Sequence, residues 1–76
     1  MGIKIKDLKI LLNQYDENTL VCVEGYEGGF SDIGHLKEAL LELNINQEDY
    51  MGPHEETGKG NVKAVLLLRA PNPNSV

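Results

Sequence analysis

Apolar residues recur three and four positions apart at Ile5, Leu8, Leu11, Leu12 and Tyr15, the spacing that lines up one face of a helix. Lys6, Asp7, Lys9, Asn13 and Gln14 take the solvent side, and the pattern predicts a helix over 5–15. Ile3 and Ile5 also alternate with lysines, so a short strand ahead of the helix is a second reading. Asp16-Glu17-Asn18 is a turn. Thr19 to Glu24, rich in β-branched residues and apolar on both sides, reads as a buried strand. Val62 to Arg69 reads as another; its run Ala64-Val65-Leu66-Leu67-Leu68 places it at the centre of a sheet. Between them, 36–45 fits two templates. Leu36, Ala39, Leu40 and Leu43 fit a helix face; Ala39, Leu41, Leu43 and Ile45 fit a strand face. Propensity favours helix and periodicity does not decide. Residues 46–61 form a polar loop, broken by Pro53 and by Gly52, Gly58 and Gly60. The prolines of 71–76 make an extended tail, leaving 1–70 as a single domain.

Length and composition then narrow the picture. Seventy-six residues bury only about 60–65% of the surface of the unfolded chain, and chains this short need an added source of stability. The single cysteine, Cys22, excludes an intrachain disulfide; among β-branched neighbours it reads as a small buried thiol. Lack of a cysteine framework suits a reducing compartment, and no Cys/His spacing resembles a zinc site. A second copy is therefore the expected staple, with a dimer the simplest case. A net charge of −5 argues against a nucleic-acid partner, whose phosphates need Lys and Arg. No apolar stretch approaches the roughly 18 residues of a membrane span. The first residues lack a signal-peptide core, and Lys6 stands where a myristoylation motif wants Ser or Thr. The expectation is a cytoplasmic protein of a bacterial host, with no membrane partner.

The most distinctive stretch is Thr19-Leu20-Val21-Cys22-Val23-Glu24-Gly25-Tyr26-Glu27-Gly28-Gly29-Phe30-Ser31-Asp32. It resembles a pattern in small uncharacterised proteins of bacteria and their phages. There a short helix leads into an apolar strand, Gly-Tyr-Glu-Gly-Gly-aromatic and an acid, with a later Gly-Pro-His-Glu loop, here Gly52-Pro53-His54-Glu55. The resemblance implies a strand over 36–45, against raw propensity. It implies no catalytic role. The expected fold is α+β: one N-terminal helix packed on a small, mainly antiparallel sheet of three or four strands.

Two loops carry the candidate chemistry. In the first, Tyr26 and Phe30 offer rings for stacking on a planar group, and Glu27 and Asp32 offer hydrogen-bond acceptors. A plain structural hairpin, its aromatics capping a small core, stays open as the other reading. Glu24, Glu27 and Asp32 do not match a calcium-loop spacing, so no metal or other cofactor is expected. In the second, Tyr50, His54, Glu55 and Glu56 form a polar cluster, but no nucleophile accompanies the histidine. Gly52 to Lys59 fails the phosphate-loop spacing, although the successive amides of Thr57-Gly58-Lys59-Gly60, with Lys59 adding charge, suit an anion. Arg69 is the only arginine. The sequence thus points to a non-enzymatic homo-oligomer binding a small molecule through Tyr26, Glu27, Phe30, Asp32, Tyr50, His54, Lys59 and Arg69. The phage-like resemblance makes a nucleotide-derived host defence signal the ligand of interest. The alternative is an acidic module that inhibits or regulates a host protein.

Overall fold

In the computed structural model, which describes residues 2–75, helix α1 spans Ile5–Leu12. Strands β1 (Cys22–Glu24), β2 (Phe30–Leu41) and β3 (Val62–Arg69) follow. The helix stops three residues before the expected end. Gln14 and Tyr15 donate instead to the Leu11 and Leu12 carbonyls at 3.3 and 3.1 Å, the tight i→i+3 bonds of a closing turn. At its start the Asp7 carboxylate accepts the Lys4 amide at 3.4 Å.

The sheet is antiparallel, in the order β1-β2-β3. Sequential strands pair with their neighbours, so the second strand in the chain becomes the central one. This corrects the expectation for the Ala64–Leu68 run. β3 is an edge strand, with Val65 46% and Leu67 42% exposed. The stretch 36–45 is indeed largely strand, but β2 begins at Phe30 and takes in residues read as loop. A bulge lies at Gly34: Ile33 pairs with Arg69 and His35 with Leu68, so two steps on β2 match one on β3. There β2 turns away from β1, whose pairing ends at Cys22↔Asp32. Leu20 and Val21 gain no partner strand and stay exposed, and Cys22 is exposed as well. The buried thiol and buried first strand expected from sequence are not formed within one chain.

Little of the apolar surface is covered. Ala39 is the buried residue of the core, at 5% exposure; Leu41, Ala64, Leu66 and Leu68 on its face are half-buried. The opposite face presents Leu36, Leu40, Val65 and Leu67, all exposed. The segment after the second loop returns against β2: Glu42 and Glu55 exchange amide-to-carbonyl bonds of 2.8 and 3.0 Å. Among the described residues, no Cα of helix α1 lies within 8 Å of a strand Cα. Helix and sheet are both present, and no close backbone approach of one to the other supports the expected packing within the chain. No helix among the described residues is long and apolar enough to cross a membrane.

Candidate functional site

The first loop joins β1 to β2 as a hairpin. Glu24↔Phe30 is its last pair, and the Gly25 amide closes it on the Gly29 carbonyl at 3.0 Å. Gly28 and Gly29 have φ of 147° and 65°, conformations open to glycine and strained for other residues. A β-carbon on Gly25 would overlap the Gly28 carbonyl oxygen. The glycines therefore serve the turn itself. What they hold up is Tyr26, 80% exposed, with the Arg69 guanidinium 5.4 Å from its ring centroid. That separation is a cation–π contact. Among the described residues Arg69 makes no salt bridge, so its charge is not neutralised by a carboxylate.

Strand alternation divides the other candidates. Arg69 shares a face with Ile33 and Ser31, whereas Phe30 and Asp32 point to the opposite face with Glu24 and Cys22. Phe30 is 80% exposed and lies across from Glu24. The Asp32 carbonyl accepts the Ala70 amide at 2.8 Å, holding the end of β3 beside the hairpin. Glu27 is exposed. One face thus carries a stacked ring and cation; the other carries a ring and an acid.

The second loop stands at the far end of β2, a strand of twelve residues that spans about 36 Å at the usual rise. Within one chain it does not complete the Tyr26–Arg69 pair. Its polar groups largely bind one another. His54 Nδ1 accepts the Asn44 amide at 3.1 Å. Asn44 itself has φ 58°, a left-handed turn that asparagine tolerates. Asn46 donates to the Gly52 carbonyl and the Glu55 carboxylate at 2.9 and 3.0 Å. The Thr57 hydroxyl donates to Glu42 at 2.7 Å and accepts the Lys59 amide at 3.1 Å. One amide of the would-be anion cradle is therefore already occupied. Lys37 and Glu56 pair at 3.2 Å. Tyr50, 86% exposed, projects from the tip. Among the described residues, no three His, Cys, Asp or Glu side chains converge as a metal ion requires.

A feature that the sequence reading missed is an open groove of about 720 Å³ between the end of α1 and the chain leading to β1. Leu12, Tyr15, Leu20, Val21 and Cys22 form its apolar lining, and Lys9, Asp16 and Glu17 its polar edge. The signal was the run Leu20-Val21-Cys22, apolar with no strand beside Leu20 and Val21. Comparison with family models, curated proteins and solved structures finds no match.

Proposed function

We propose that the chain is a non-enzymatic, homo-oligomeric binding protein that takes a small nucleotide-derived ligand at the glycine hairpin. One observation carries this reading: the guanidinium of Arg69 lies over the exposed Tyr26 ring and, among the described residues, pairs with no carboxylate. A ring face can stack on a base, and an unneutralised guanidinium can grip a phosphate with two parallel hydrogen bonds. The hairpin glycines admit close approach of a ligand to the backbone. The self-bonded second loop supplies no nucleophile–base pair, which favours holding a ligand over converting it. By its resemblance to bacterial and phage proteins, the ligand we favour is a host defence signal, and the role is sequestration.

Calorimetric titration with ADP-ribose and cyclic di-AMP tests the reading. The parent should bind one of the two and release it chemically unchanged. Tyr26→Ala and Arg69→Gln should each weaken binding about tenfold to a hundredfold, the equivalent of ~1–3 kcal/mol for a lost stacking or charged contact. Binding of neither probe, or parent-like binding by both variants, overturns it. The second reading is an acidic module that binds a host protein. It is favoured by charge: residues 16–76 hold eleven acids against four Lys and Arg. A host protein retained at stoichiometric ratio by the Tyr26→Ala variant would support that reading instead.

A further inference from the structure

From the uncovered sheet and the detached helix we infer that α1 of one copy seats on the exposed sheet face of a second copy, each chain covering the other. This rests on the oligomer in the reading above and is independent of any ligand.

Three observations lead to a second copy as the occupant. The first is area. A folded chain of 8.4 kDa exposes about 4600 Å² by the usual scaling with mass. This chain exposes 7130 Å², about 2500 Å² in excess, and an excess of that size per chain falls in the range of obligate homodimer interfaces. Its radius of gyration, 14.4 Å, likewise exceeds the ~11.4 Å of a compact chain of this length.

The second is matching shape. Helix α1 has eight residues, too few to persist alone in water; such helices are held by packing an apolar face. Ile5, Leu8, Leu11 and Leu12 form that face, yet no α1 backbone position comes within 8 Å (Cα–Cα) of β1, β2 or β3 in its own chain. The sheet offers what it lacks: Leu36 lies across from Leu67, with Leu40 and Val65 on the same face, all exposed.

The third is charge. Residues 2–15 hold three lysines and one aspartate, a net +2, while residues 16–76 carry −7. A basic arm on an acidic body is complementary over whole copies, which at −5 would otherwise repel. On the face itself Glu38 is already paired with Lys63 at 3.7 Å, so seating there is driven by apolar contact.

Sedimentation equilibrium of the ligand-free full chain is the first test, with an assembly of about 17 kDa or a multiple of it expected (from the 8.4 kDa chain). Leu8→Asp and Leu67→Asp should each weaken self-association at least a hundredfold. Ile10→Asp, on the opposite side of α1, should leave it within a few-fold. A folded species of one chain mass at tens of micromolar overturns the inference, whether α1 then folds on its own sheet or the face awaits a different protein. So does an assembly indifferent to Leu8→Asp. Should the variants fail to fold, the parent still decides. In a mixture of isotope-labelled and unlabelled chains, filtered nuclear Overhauser contacts should join Leu8 methyls to those of Leu36 and Leu67 between chains. If those contacts arise only within a chain, or not at all, the inference falls. None of these results depends on nucleotide binding, so failure of the ligand reading leaves them intact.

Discussion

A β-carbon at Gly60 would stand 2.6 Å from the Leu40 carbonyl oxygen and 2.5 Å from the Leu41 carbonyl carbon. Both are backbone atoms that cannot swing aside. Gly60→Ala should therefore lower stability by about 1–3 kcal/mol, as overpacked sites do. Gly52 has open space around its α-carbon. Gly52→Ala should be neutral, or stabilising by up to ~1 kcal/mol through the unfolded chain. Urea unfolding of the two variants beside the parent checks this; equal midpoints would show that the loop does not press on β2. From the sequence these two glycines look alike, since both punctuate one polar loop. Their difference is long-range contact, which local pattern cannot carry. The same holds for His54. Its neighbours suggest acid–base chemistry, but its Nδ1 is taken by the Asn44 amide, ten positions earlier. Tyr26 and Arg69 were both legible as candidates. That they stack could not be read from positions 43 apart.

Among elements, the bounds of β3 were legible to the residue, because a short apolar run between Gly60-Asn61 and Pro71 has the length and flanking breakers of a strand. β2 was not, and Gly34 is the reason. Before the bulge, Ser31 and Ile33 share a face with Arg69; after it, Leu36, Glu38 and Leu40 take up that face. The two-residue alternation slips by one within the strand, so no single strand template spans 30–41. Removing Gly34 would leave Ile33↔Arg69 followed directly by His35↔Leu68, a regular ladder with every side chain on its present face. The Gly34 deletion should thus melt within about 5 °C of the parent, near 1 kcal/mol for a domain of this size. Deleting Lys37 has no such remedy, since the whole strand on one side must turn over; that variant should show no cooperative transition. Scanning calorimetry of both deletions gives the comparison, and a folded Lys37 deletion would mean that β2 register is loosely held.

At the scale of the molecule, the chain measures 37 × 37 × 21 Å around Ala39, the one buried residue among those described, itself 5% exposed. The expectation of a partner rests on length and cysteine count. Which surfaces it would cover was not legible, because the helix reads as ready to pack on its own sheet, and only the fold leaves it free. If stability resides in assembly, melting must depend on concentration. A tenfold rise should lift the melting temperature by about 3–5 °C for a two-chain unit of this size. A melting point unchanged over a hundredfold range would place the missing stability within the single chain.

Burial of so little beyond Ala39 also bears on how much of the protein a cell could keep. A lone chain with so thin a core is open to proteases, and its loss is first order in its own amount. If copies pair, escape by that route is second order, since it needs an encounter with another copy. The surviving quantity would then climb faster than the rate of synthesis. Sparse expression would leave almost nothing, and expression past a threshold would accumulate protein abruptly, making gene dosage behave as a switch.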